Sequence, residues 1–342
     1  MGHTPLVDIE VMFLGTGGSA PSAARAPSAT VIRRAGDILL VDCGEGTQRQ
    51  LLRSTLGLSE IDLIAFTHYH GDHVLGLPGL LKTYDLHGRE RPLTLVGPPG
   101  LGDLLRAFAP FIGRLAYQLE LAEVVDGDAV ERDGYDLVPG AVRHRGPATA
   151  WALVEDGRPG VFDAGLADEL GVPHGPERGA LLRGERVTLA DGRTIDPGQL
   201  VGPARSGRTV VLTGDTVPCN SVVELARGAD LLVHEATFVA ADAERAQETR
   251  HSTAGGAALI ALEANVRLLA LTHLGQRTAP READAEARAV FPDTVVPRDF
   301  DTIVIPLPER GSPQLEPRGA RRGRRDGVSP DLPDDAAREA VT

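Results

Sequence analysis

Short apolar runs of strand length recur along the chain, and most of them end in glycine or in a polar loop. "VDIEVMFLGTGGS" alternates and then breaks at glycine, which predicts a strand and a loop. "SATVIRRAGDILLVDCGEG" reads as two strands around a turn at Ala35–Gly36–Asp37, and "EGTQRQLLRSTLG" as a short helix ending at Gly57. "IDLIAFT" is a nearly continuous apolar run, as a buried strand would be, and "VLGLPGLLKTYDL" predicts a helix. The second half repeats this grammar in "RTVVLTGDT", "GADLLVHEATF" and "VRLLALTHL", where a histidine or aspartate sits at each strand's exit. Buried strands that feed polar loops along one edge predict a layered α/β protein with its site at that edge.

Two stretches break the pattern. Residues 164–207, which include "GVPHGPERGALLRGERVTLADGRTIDPGQLVGPARSG", are rich in Gly, Pro and Arg and predict an inserted arm with one hairpin at "VTLADGRTI". From about Pro308 the apolar content collapses. This predicts a domain over residues 1–307 and a disordered tail over 308–342.

Composition narrows the function classes. Hydrophobic residues make up 42% and charged residues 24%, as in an ordinary soluble domain. No apolar run is long enough to span a bilayer and no leader-like start is present, so no membrane is expected and the cytoplasm is the expected compartment. Two cysteines, Cys43 and Cys219, exclude a disulfide scaffold and a Cys-rich zinc knuckle. The formal charge of -13 means that a nucleic-acid partner would need a local positive surface.

The chemistry concentrates directly after "IDLIAFT". His68, His70, Asp72 and His73 place three of the chain's 10 histidines within one short loop. Alternate histidines let two imidazoles converge on one ion, and the Asp and His that come next can turn to a second. Imidazole and carboxylate suit zinc, and less selectively manganese or iron. His144, Asp215, His234, His251 and His273 are strand-exit candidates for the remaining ligands. Singly, each is more often a satisfied loop residue; together they share the grammar of the cluster.

The HxHxDH run after a buried strand resembles the metallo-β-lactamase superfamily. With "FLGTGGSAP", "DCGEGTQRQLLRS", "GVPHGPERGALLRGE", "TGDTVPCNSVVELARGADLLVHEATF" and "HSTAGGAA", the chain is similar, over roughly residues 8–307, to the ribonuclease Z family. That resemblance implies a four-layer αβ/βα sandwich with an inserted flexible arm, two zinc ions per chain with manganese as a substitute, a homodimer, and removal of the 3′ trailer from precursor tRNA. It implies His68, His70 and His144 as ligands of one zinc and Asp72, His73 and His273 of the other, with Asp215 bridging. Asp72 matches the proton acceptor, and Glu235 with His251 match a pair that protonates the leaving oxygen. The arm matches a segment that grips the tRNA, with Arg178, Arg183 and Arg186 as its candidate contacts. The chain departs from the family at Trp151, at "LGQRT" after His273 and at "APSAARAPSAT", positions that the resemblance puts near the RNA 3′ end. Another hydrolase of this fold acting on small phosphodiesters or aryl sulfates, or a non-catalytic RNA-binding protein, are the competing readings.

Overall fold

A computed structural model of the chain describes residues 7–58 and 61–319. Strands β1 (Ile9–Gly15), β2 (Ala29–Arg34), β3 (Asp37–Val41), β4 (Leu63–Ala65), β5 (Leu93–Gly97) and β6 (Leu119–Glu123) build most of the first sheet. β7 (Val130–Arg132), β8 (Tyr135–Ala141) and β9 (Thr149–Glu155) begin the second, and β10 (Val187–Thr188) with β11 (Thr194–Ile195) form a hairpin in the insertion. β12 (Thr209–Leu212), β13 (Leu231–Glu235), β14 (Leu269–Thr272) and β15 (Thr294–Val295) complete the second sheet, while β16 (Thr302–Ile305) and β17 (Gln314–Glu316) return to the edge of the first. The spatial orders are β17-β16-β1-β2-β3-β4-β5-β6 and β15-β14-β13-β12-β9-β8-β7.

The apolar runs explain the layering. Phe13, Ile32, Leu39 and Leu63 of the first sheet meet Trp151, Leu153, Val210, Leu231 and Ala270 of the second in a core between the sheets. On the outer face of the first sheet, Leu51, Leu77, Leu80, Leu81 and Leu101 from three helices cover Leu14, Leu40 and Ile64. On the outer face of the second, Val222, Val223, Ala257, Ile260, Ala261 and Ala283 do the same over Val211, Leu232 and Leu271. Each sheet is thus buried on both faces, which is why its strands read as continuous apolar runs. The result is the αβ/βα sandwich of the metallo-β-lactamase fold.

β3, β4 and β5 run parallel, as do β12, β13 and β14, so each set delivers its following loops to one edge. The insertion leaves from the opposite edge, after β9 and before β12. It holds more structure than its Gly/Pro content predicts: helices Ala164–Glu169, Pro176–Leu182 and Pro197–Leu200 accompany the hairpin. Ala167, Val172, Leu181, Val187, Ile195 and Leu200 give it a small core of its own. Bridges Arg158↔Arg205 and Phe162↔Val201 zip its base. Behind the base, Glu155 accepts from Arg34 Nε at 2.8 Å and from Arg208 Nε at 2.7 Å, and all three side chains are buried.

Two expectations change. The helix predicted to reach Gly57 ends at Arg53. The tail predicted from 308 begins instead with an ordered segment, because Glu309 binds Arg158 at 2.7 Å and Arg205 at 2.9 Å, and β17 pairs with β16. Residues 320–342 of that predicted tail lie outside the described residues. Among the described residues no helix is long and apolar enough to cross a membrane.

Candidate metal centre

Strand exits and turns bring the predicted ligands to one place. His68 follows β4, Asp215 follows β12, His273 follows β14, and His144 lies between β8 and β9. Asp72 and His73 sit on a one-turn helix, Gly71–Val74, directly after His70.

Two sets of side chains that could each hold a metal ion form. In the first, His70 Nδ1 is 3.0 Å from His68 Nε2 and 3.2 Å from His144 Nε2, and Asp215 Oδ2 is 3.6 Å from His68 and 3.9 Å from His144. In the second, His273 Nε2 is 3.3 Å from His73 Nε2 and 3.2 Å from Asp72 Oδ2, and Asp215 Oδ1 is 3.5 Å from His73 and 3.4 Å from His273. Ligands at about 2.0–2.1 Å around a tetrahedral ion stand about 3.3 Å from one another. The atoms of both sets are therefore spaced as the corners of two coordination shells that share Asp215. Oδ1 of Asp215 is buried and receives no hydrogen bond, which a bridging cation would remedy.

Hydrogen bonds behind the rings select the tautomer that frees the metal-facing nitrogen. His73 Nδ1 donates to Asp42 Oδ2 at 2.7 Å, His144 Nδ1 to the Arg250 carbonyl at 2.9 Å and His273 Nδ1 to Thr237 Oγ1 at 2.9 Å. His68 Nδ1 lies 3.1 Å from Thr67 Oγ1, which donates to Asp42 at 2.9 Å. The backbone bends to permit this: Asp42 and His273 have φ of 60° and 55°, in the left-handed region. A Cβ at Gly18 would stand 2.6 Å from His273 Nδ1, so only glycine fits beside that ring.

Electrostatics follow the same division. Burial, then the neighbouring imidazoles, hold His68 far below the ordinary histidine range, and burial lowers His70 and His144 despite Asp215. These shifts favour the neutral ring, the form in which a histidine can hold a metal ion. Burial opposes charge on His73 and His273, but Asp215 with Asp42 or Asp72 outweighs it and raises both. Asp215 and Asp72 are held well below the usual carboxylate range: burial pushes them up, and the surrounding histidines more than reverse it. The carboxylates thus call for positive charge between the rings, which a metal ion supplies in place of protons.

Next to the centre, His251 Nδ1 donates to Glu235 Oε1 at 2.8 Å. Glu235 is buried and fixed by Thr216 N at 2.9 Å, Thr237 N at 3.1 Å and Thr237 Oγ1 at 2.6 Å. Burial works against the imidazolium, yet Glu235 raises His251 above its ordinary pKa. Asp72 Oδ2 accepts from Ser19 N at 2.7 Å, so the first-sheet loop orients it. Among the strand-exit candidates, His234 joins neither set: it is fully buried, and its Nδ1 meets the Glu235 carbonyl at 2.8 Å.

The arm arginines behave differently. Arg178 binds Asp168 and the Val172 carbonyl within the arm and is only 12% exposed. Arg183 pairs with Glu185 at 2.8 Å and Arg186 with Asp196 at 2.5 Å, both at the surface. Trp151 is also not where the resemblance implied: it is fully buried between the sheets and donates Nε1 to the Phe66 carbonyl at 3.0 Å. Asp42 and Thr237 escaped the sequence reading. Both stand in quoted motifs, "DCGEG" and "HEATF", and Asp42 obeys the same strand-exit rule as the ligands.

A family model for the metallo-β-lactamase superfamily matches residues 23–273. Ribonuclease Z of Myxococcus xanthus (strain DK1622) is 45% identical over 303 residues, covering 87% of this chain and 98% of that protein. Ribonuclease Z of Haloferax volcanii is 46% identical over 305 residues, covering 88% and 96%. The crystal structure of human tRNase Z, short form, aligns with a TM-score of 0.64 at 29% identity, over 87% of this chain and 100% of that one.

Proposed function

Since the chain belongs to the ribonuclease Z family of the metallo-β-lactamase superfamily, we propose that it is a zinc-dependent endoribonuclease that removes the 3′ trailer of precursor tRNA and leaves a 3′-hydroxyl. The observation that carries this reading is Asp215, with one oxygen toward each of two ligand sets and the Glu235–His251 pair 3.8 Å away. His68, His70, His144 and Asp215 would hold one ion, and Asp72, His73, His273 and Asp215 the other. Zinc suits this set of imidazoles and carboxylates, with manganese as a substitute. When bound, the two ions supply Lewis acidity toward the phosphate and lower the pKa of a water.

The chain's own residues do the rest. Asp72, aimed by the Ser19 N–H, accepts the proton of the attacking water. His251 keeps Nδ1–H on Glu235 and offers Nε2 to the leaving 3′ oxygen; burial opposes its charge, and Glu235 counters this. Glu235 in turn is locked by three donors, so His251 has one orientation to adopt.

The arm supports a large substrate, because a small phosphodiester needs no second body at the far edge of the sheets. Its fold, more than free arginines, would form the grip, since Arg178, Arg183 and Arg186 already have carboxylate partners. The working unit is a homodimer in the cytoplasm. Exposed Leu52, Leu75, Leu86 and Phe111 on the helical layer over the first sheet supply apolar surface for self-association. Two free, buried cysteines agree with a reducing compartment. The test replaces Asp163–Leu200 by a short Gly/Ser linker between Phe162 and Val201, which are already bridged. Cleavage of precursor tRNA should fall while hydrolysis of a small activated phosphodiester persists. Equal loss of both would assign the arm to folding, and unchanged tRNA cleavage would dismiss it as a grip.

A further inference from the structure

His144 and His251 stand on separate stretches of chain, yet their ring centroids lie 5.0 Å apart. Arg250 joins them. Its carbonyl accepts from His144 Nδ1 at 2.9 Å, and its Nη1 donates back to the His144 carbonyl at 3.0 Å. Beside this exchange, Arg145 Nη2 donates to the Glu248 carbonyl at 2.8 Å. These bonds sew the loop between β8 and β9 to the end of helix Ala243–Thr249.

Arg250 ends that helix in the left-handed region, with φ 61° and ψ 48°. Its N–H donates to the Gln247 carbonyl at 3.2 Å, and the next N–H, of His251, donates to the Ala246 carbonyl at 2.8 Å. A turn of this kind usually takes glycine, because a Cβ is crowded there. An arginine at the position therefore needs a reason, and the return bond to His144 supplies one. The turn also directs the Arg250 carbonyl out of the helical ladder and onto the imidazole. Just beyond, Ser252 Oγ donates to the Thr216 carbonyl at 2.6 Å. His251 is thus held between a pinned serine and the Arg250 turn, and its Nδ1 reaches Glu235 at 2.8 Å.

We propose that Arg250 is a positioning residue that couples one candidate metal site to proton delivery. It fixes the ring of His144 and, through the same turn, the place of His251. The proposal rests on the two-metal, precursor-tRNA reading. His144 Nε2, across the ring from the Arg250 bond, lies 3.2 Å from His70 Nδ1. A displaced turn would tilt this nitrogen out of its set and carry His251 off Glu235 in the same movement.

The test compares Arg250→Gly, which keeps the left-handed turn and the carbonyl but removes the return bond, with Arg250→Lys, whose ammonium can donate to the His144 carbonyl again. Metal affinity is measured without RNA, by competition with a chelating dye. Supporting bonds behind a ligand are worth about 10–100-fold in affinity, so the glycine variant, which keeps one of two bonds, should lose about tenfold at the His68–His70–His144 set only. At saturating zinc its kcat on precursor tRNA should also fall about tenfold, with KM within about twofold of wild type. Hydrolysis of an activated phosphodiester should fall less, because its leaving group needs no proton. The lysine variant should regain most of both losses. A change in affinity without one in kcat, or the reverse, overturns the coupling. A raised KM with affinity and kcat intact makes Arg250 a phosphate contact and overturns it too. So does equal weakening of both sets with lower urea stability of the metal-free protein, which would mark a purely structural residue. Wild-type protein that binds a single ion, or leaves precursor tRNA intact, overturns the parent reading and this proposal with it, before any variant is compared.

Discussion

Asp42→Asn should weaken one metal position selectively without unfolding the protein. The residue is 2% exposed and holds one histidine of each candidate set: His73 directly at 2.7 Å, and His68 through Thr67, whose N–H donates to Asp42 Oδ1 at 2.8 Å. Asparagine has the same shape and tolerates the left-handed backbone, so the strand exit should survive. The amide must keep its oxygen toward the Thr67 N–H, which turns its NH₂ toward His73 Nδ1. His73 then either loses this bond or moves its proton to Nε2, where the metal should bind. Loss of such a supporting bond lowers metal affinity about 10–100-fold, or about 1.4–2.8 kcal/mol. Competition with a chelating dye measures this, and urea unfolding of the metal-free protein controls for stability. The second set (Asp72, His73, His273) should weaken first, and excess metal should restore cleavage. Two sites as tight as in the wild type would refute the tautomer argument; a collapsed metal-free fold would assign Asp42 to the scaffold.

Asp215→Ala should lower metal occupancy at both positions, whereas His68→Ala should lower mainly one, read by metal analysis after reconstitution. His251→Ala should retain metal and RNA binding and slow cleavage by about 10²–10⁴-fold; loss of metal in this variant would make His251 a ligand. Glu155→Ala should destabilise the fold by about 3–5 kcal/mol in urea unfolding, because it strands two buried guanidinium groups. Burial pushes Glu155 up, but Arg208 and Arg34 hold it below its ordinary value of 4.5, so its contribution is complete above that value and lost as pH falls through the lower folded one. Acid unfolding should therefore begin at the same pH in Glu155→Gln as in the wild type only if this knot is not the sensor.

The strands and the catalytic edge were legible because sheets buried on both faces leave long apolar runs, and because four ligands lie within six positions. Their distant partners could be read as strand exits, one residue at a time. Asp42 and Thr237 were hidden because their role is set by what they face, and Thr237 meets His273 from 36 positions away. The Arg34–Glu155 pair, 121 positions apart, carries no local signal. The arm's helices were masked by glycine and proline, which here serve as caps and first-turn residues such as Pro176 and Pro197. β17 was missed because a three-residue edge strand, Gln314–Glu316, offers one apolar side chain and is held by pairing with β16. The motif resemblance supplied the proposed roles of Glu235 and His251, and the geometry shows a 2.8 Å pair beside Asp215.

The most direct measurement incubates the pure protein with a precursor tRNA bearing a 3′ trailer, with zinc and after its removal by a chelator, and maps the cut. A single metal-dependent cut at the base of the trailer, leaving a 3′-hydroxyl on the tRNA, is the predicted result. Cleavage that survives complete metal removal, or an intact precursor alongside rapid hydrolysis of a small phosphodiester, would contradict it.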